Sequence, residues 1–228
     1  MVLYLSIVLV AMTIIVVCNI TLNPMMIGAS PLWIAVMVVL TVAVEVVINL
    51  IAEGIIHIMP NKWFDVNSRF HVGKGERKFY EKLGIKKWKE KVWELGAVGG
   101  FSKKVIVDPN SSEYLNRYVV ECNKGFVGHM LILPMSFLIL LFPEPKYWLW
   151  IGLPVAVVSV FLNILPAMIL RYNLPKLKVA YKRALSKEKT KKANENIDAN
   201  LNIQKESNLL DKHNDEESTE TLSQVGNA

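Results

Sequence analysis

Apolar residues come in four runs along this chain, at 2–20, 32–59, 126–142 and 147–170, separated by polar stretches of very different length. Roughly 20 apolar residues carry a helix across a bilayer, so each run predicts a membrane span. The third, near the short limit, continues a helix begun in the polar stretch before it. The first run is apolar all round, with no basic residue ahead of it and no small-residue cleavage site after it. It is expected to remain as a span and not to act as a signal peptide. Asn23-Pro24 and Gly28-Ala29-Ser30-Pro31 make the turn into the second run, with Pro31 suited to a first helical position.

The other runs carry polar residues in register. In the second, Glu45, Asn49, Glu53 and His57 recur every four positions, a slowly drifting stripe that cannot all face lipid. It is expected to look inward, with Glu45 deepest. Ser111 or Ser112 caps the next helix. There Tyr114, Leu115, Tyr118, Val119 and Cys122 share an apolar face, while Arg117, Glu121, Gly125, Gly128 and His129 fall within roughly 120° on another side. The glycines permit close approach beside His129. The fourth run holds Asn163 and exits through Arg171-Tyr172-Asn173, with Pro154 and Pro166 predicting bends. Ionisable groups at such depth are costly and tend to mark a site.

Between the second and third runs, lysines alternate with aromatics. Segments 76–83 and 85–95 read as short helices broken at Gly84, the second with Ile85, Trp88, Val92 and Leu95 on one face. That pattern suits a helix lying in the membrane interface, or a cap packing the same face onto protein. A turn follows at 96–102. The chain thus divides into two spans (1–59), a basic–aromatic insertion (60–110), the helix entering the third span plus the fourth span (111–177), and a basic juxtamembrane helix with a tail (178–228). Residues 193–228 are rich in Asn, Glu, Ser and Lys and are expected to be disordered.

A hydrophobic fraction of 52% excludes a soluble globule and fixes the class as all-α integral membrane protein. Fourteen of the 26 basic residues lie in 60–124 and eleven follow from 171 onward, so both termini and the insertion are expected in the cytoplasm. The net charge of +6 sits beside the spans, where it suits anionic lipid and not nucleic acid. Cys18 and Cys122 lack metal or redox spacing and read as unpaired membrane cysteines.

The polar groups gather toward the cytosolic ends of the spans, predicting a pocket for one water-soluble and one lipid-like partner. No GxSxG, HExxH, Walker loop or His/Cys cluster is present, so neither metal nor cofactor is expected. A soluble-type acyltransferase box fails because Pro134 stands five residues after His129. What remains is acid–base chemistry: His129 takes a proton from a hydroxyl, Glu121 or Glu53 orients the ring, and Asn163 or Arg171 stabilises an oxyanion. Two other classes use the same residues. One is a non-catalytic lipid-binding scaffold; the other is a small transporter relaying protons through Glu45, Glu53 and His57.

Four stretches stand out together: 79–89 (FYEKLGIKKWK), 100–104 (GFSKK), 121–129 (ECNKGFVGH), and Asn163 followed by 171–177 (RYNLPKL). Their order and spacing resemble the glycosyl-4,4'-diaponeurosporenoate acyltransferase family, small bacterial membrane proteins of carotenoid biosynthesis. The resemblance covers 60–178. It implies transfer of a fatty acyl group to the primary hydroxyl of a sugar on a carotenoid acid, at a bacterial plasma membrane. An acyl-CoA or acyl carrier protein thioester would be co-substrate, and membrane lipid and a lipid-like acceptor would be partners. By position it points to Glu121, His129, Asn163, Arg171, Tyr172, Asn173 and Trp88. With the pocket residues, the expected catalytic set is His129, Glu121 and Glu53; Glu45, Asn49, His57, Trp88, Lys124, Asn163, Arg171, Tyr172 and Asn173 are expected to bind substrate. The sequence departs from the family pattern at Lys124-Gly125-Phe126, where Arg-Ala-Glu is usual, at Met130 for Trp and at Leu174 for Arg. Without an acid at Phe126, support for the histidine falls to Glu121 or a glutamate of the second span.

Overall fold

The computed structural model describes residues 2–68, 72–90, 92, 106–141, 144 and 147–225. Every regular element among the described residues is helical: α1 (Val2–Thr21), α2 (Pro31–Ile58), α3 (Lys74–Lys82), α4 (Ile85–Trp88), α5 (Ser112–Met135) and α6 (Leu153–Val225). Tighter turns occur at Pro24–Met26, Asn61–Trp63 and Ser136–Leu141, and a wider one at Trp148–Gly152. The helices α1, α2, α5 with its extension, and α6 are long and apolar enough to cross a membrane, with mean hydropathies from 1.7 to 2.7. Their outward faces expose Leu9, Val10, Leu40, Val47 and Leu50, surface that suits hydrocarbon and would aggregate in water.

Local chemistry sets the ends. Asn23 accepts from the Met25 amide at 3.0 Å and Pro24 opens the turn after α1. Pro60 pushes Met59 into extended geometry and stops α2. Gly84 takes the left-handed conformation (φ 67°) that separates α3 from α4, a conformation a side chain would strain. Ser111 caps α5 by accepting from the Tyr114 amide at 3.2 Å. Pro134 lacks an amide hydrogen, and α5 tightens into the Ser136–Leu141 turn just beyond it. Pro166 and Pro175, by contrast, are carried within α6 without ending it.

The molecule is tied at both ends. In the half away from the basic segments, Ile15, Met26, Ile34, Val38, Ile139, Ile151 and Val155 form one core. Buried Asn19 links α1 to the Trp150 carbonyl at 3.0 Å and is itself met by Asn23 at 2.9 Å. In the basic half, α6 packs along α5 through Tyr118, Val119, Cys122, Leu170, Leu174 and Leu177. Asn123 fastens the post-α2 turn by donating to the Phe64 carbonyl at 2.7 Å and to Ser68.

Of the two alternatives for the face at 85–95, the packed cap is the one seen, while the tail departs from expectation. The face formed by Ile85, Trp88 and Val92 packs on Ile169 and Tyr172 of α6, with Ile85 and Val92 buried. Helix continues only as far as Trp88, and Leu95 and the turn at 96–102 lie outside the described residues. The tail, expected to be disordered from 193, is helical through Val225. Lengthening a formed helix costs far less than starting one, and neither glycine nor proline interrupts 176–225. Within it every residue from Lys189 to Asn202 is exposed, so that part is held by the helix itself.

Candidate functional site

His129 on α5 and Asn163 on α6 meet one turn or more inside their spans, with His129 Nδ1 and Asn163 Oδ1 2.9 Å apart. The geometry also fixes the proton. Asn163 Nδ2 donates to the Ser159 carbonyl at 2.9 Å, so the amide presents its oxygen to the ring. An oxygen can only accept, so Nδ1 carries a hydrogen toward Asn163. Ser159 extends the chain, its hydroxyl 3.0 Å from that of Ser136 on the extension of α5. Imidazole, amide and two hydroxyls thus form one polar thread between α5 and α6.

Asn163 also borders a crevice among α1, α2 and α6, with a volume of about 110 Å³. Its lining is almost wholly apolar, and Glu45, Ser159 and Asn163 are the polar exceptions. Glu45 is only 4% exposed, and both its carboxyl oxygens are buried without a hydrogen-bond partner.

The stripe on α2 does not converge on one cavity. Positions four apart turn roughly 40° further around the helix at each step, so Glu45 and His57 differ by about 120°. Glu45 lines the crevice, and Asn49 is half-buried with its carbonyl oxygen unpartnered. Glu53 is exposed overall, yet its carboxyl lies against α5 at Gly128, within 2.9 Å of where a Cβ would stand. His57 is exposed, and its backbone carbonyl accepts from Lys124 Nζ at 3.2 Å. Glu121, expected to orient His129, is exposed and sits roughly 12 Å along α5 from it. Angle around the helix would allow that pairing; height forbids it.

At the basic end, Arg171 is gripped by Glu76 of α3, Nε to Oε1 at 2.9 Å and Nη2 to Oε2 at 2.8 Å. The guanidinium also lies 4.8 Å from the Phe126 ring centre. Tyr80 donates to the same Glu76 oxygen at 2.7 Å. Burial raises the pKa of Glu76, but hydrogen bonds from Arg171 and Tyr80 outweigh it and leave the carboxyl below its usual range. Burial, reinforced by Glu76, pushes the Tyr80 phenol up to about 12. Arg171 is thus engaged as a strut between α3 and α6. Tyr172 is buried with its hydroxyl 3.5 Å from Glu81, Asn173 is half-buried beside it, and Lys124 lies over the Phe64 ring at 5.8 Å. Trp88 donates to the Leu83 carbonyl at 3.0 Å, within its own insertion.

Glu76, Tyr80, Ser136 and Ser159 were not singled out from the sequence. For the serines a signal existed: Ser159 precedes Asn163 by four and Ser136 follows His129 by seven, so each shares its partner's helical face. For Glu76 no periodicity reaches across to Arg171.

Four apolar helices around an internal imidazole–amide thread define a polytopic helical membrane protein with a polar centre near one end of its spans. The family model for glycosyl-4,4'-diaponeurosporenoate acyltransferase matches residues 60–183, more than half the chain. The chain belongs to that family, which supports an acyltransferase of carotenoid biosynthesis acting on a glycosylated carotenoid. Neither a curated protein sequence nor a solved structure matches it.

Proposed function

We propose that this chain moves a fatty acyl group from a thioester to a sugar hydroxyl of a lipid-like carotenoid glycoside, with His129 as general base. The observation that carries the reading is the His129–Asn163 hydrogen bond, with the amide held by Ser159. In this reading Nε2 accepts the hydroxyl proton while the oxygen attacks the thioester carbonyl. The tetrahedral intermediate then collapses, the C–S bond breaks, and the same proton passes to the leaving thiolate. The products are the ester and a free thiol. Asn163 holds the ring in the needed tautomer, as an orienting acceptor does in other histidine bases. Glu53, whose carboxyl lies against Gly128, the residue before His129, is the carboxylate this reading assigns to the chemistry.

The distribution of lysines and arginines supports placing the basic end, and both termini, on the cytoplasmic side of a bacterial plasma membrane. A water-soluble acyl-CoA or acyl carrier protein would then deliver the thioester from the cytoplasm, and the glycoside would arrive within the bilayer. The test is transfer by the full-length protein in lipid nanodiscs, supplied with palmitoyl-CoA and a carotenoid glycoside. Removal of a general base typically costs 10²–10⁴-fold, so His129→Ala is expected to lower ester formation by about that factor at unchanged abundance. Wild-type rates from His129→Ala would remove the histidine from the mechanism.

A further inference from the structure

The crevice beside Asn163 has no assigned occupant. It runs from Val155 to Asn163 along α6 and from Val8 to Ile15 along α1. At 1.5 Å per residue those stretches span roughly 10–12 Å, so the space is a slot along the helices. Most of the wall is Val, Ile, Leu, Met and Ala. Of its three polar side chains, Ser159 and Asn163 are already bonded to Ser136 and His129. Glu45 alone has both oxygens buried and unpartnered. Native proteins rarely leave such groups without a hydrogen bond, so the slot suits an occupant that brings one.

We infer that the slot holds the acyl chain of the thioester donor, tail toward Ile15 and Val155 and carbonyl toward Asn163 and Glu45. The inference rests on the proposed acyl transfer. An acyl group is hydrocarbon for its whole length except one carbonyl, and the slot is apolar except at Glu45 and the Asn163 end. The sugar of the acceptor is excluded by the same lining, which has almost no hydrogen bonds to give hydroxyls. Continuity with the site comes from Asn163, which borders the slot and touches His129. The carbonyl needs a hydrogen-bond donor, a part that Glu45 can take in its acid form and that a glutamine amide can also take. Ala11, on the α1 wall, is where added bulk would fill the slot.

The experiment uses full-length protein in nanodiscs and a decanoyl thioester, whose length matches the slot, with a diazirine at the chain end, presented on coenzyme A and, separately, on an acyl carrier protein. After irradiation, labelled peptides are mapped by mass spectrometry, and ester formation is measured in parallel without irradiation. Label is expected on Met12, Ile15 or Val155 from at least one carrier, competed by unlabelled decanoyl thioester. Ala11→Phe should cut that labelling at least fivefold and shift the ester products to shorter chains. Glu45→Leu should lower it similarly, and Glu45→Gln should restore most of it. Label confined to the lipid-facing Leu5, Leu9 and Val10, or labelling unaffected by Ala11→Phe, would overturn the inference. Ester formed without slot labelling would also overturn it and leave the acyltransferase reading standing. Competed slot labelling with no ester from either carrier would do the reverse.

Discussion

A Cβ added to Gly128 would lie 2.9 Å from a Glu53 oxygen and about as close to its carboxyl carbon, 3.1 Å away. The obstacle is the far end of a flexible side chain, so Gly128→Ala should fold normally while displacing the carboxyl. Small misplacements near reacting groups can cost up to about 100-fold, and a loss of roughly 10-fold to 100-fold in ester formation is expected. Protein abundance and product, measured on the same membranes, check this; an unchanged rate would detach Glu53 from the chemistry. At this scale the sequence was partly readable. His129 and Asn163 were legible because a polar group inside a span is conspicuous. The pairing of His129 with Glu121 was drawn from angle and from the family resemblance, and the rise along α5 separates them. The α2 stripe misled through its drift, which sends Glu45, Glu53 and His57 to different neighbours.

The elements are joined by a few strong ties, of which the bidentate Arg171–Glu76 pair is the chief one between α3 and α6. Charge-assisted hydrogen bonds of this kind are worth about 1.5–3 kcal/mol, so Glu76→Gln should loosen α3 by around that amount. Faster amide exchange across Lys74–Lys82, with the spans unaffected, is the expected signature. The pH dependence follows from the same geometry. Because the Glu76 carboxyl is held below its usual 4.5, its stabilising contribution is present above that value and lost as pH falls through the lowered one. The Tyr80 phenol, raised from 10.0 to about 12, contributes fully below the former and loses its contribution as pH rises through the latter. Protection of α3 should therefore change little from about pH 5 to 9 and fall on acidification below. None of this was readable from sequence: Glu76 and Arg171 are 95 positions apart and lie on surfaces rich in other charges. Phe126, a departure from the family pattern, finds a physical role here as the ring beneath the guanidinium.

Viewed whole, the described residues hold four helices able to cross a membrane, a polar thread toward their basic end, and a last helix of 73 residues, far longer than a bilayer is thick. The spans were legible because hydropathy and length alone decide them. The extent of α6 was not, since composition predicts an unpacked segment yet says little about a helix propagated from an ordered one. Ending the chain after Lys192 should leave membrane abundance and ester formation within about twofold of wild type, because the helix leaves the packed part of the molecule there, with 193–202 exposed throughout. A large loss in either would mean that the tail acts on the membrane-embedded part. The central claim is that His129 and Asn163 work as one unit, and a double-mutant cycle on initial rates of ester formation tests it most directly. Groups acting together lose their effect once, so His129→Ala combined with Asn163→Leu should be no slower than His129→Ala alone. Losses that multiply across the two substitutions would contradict the account.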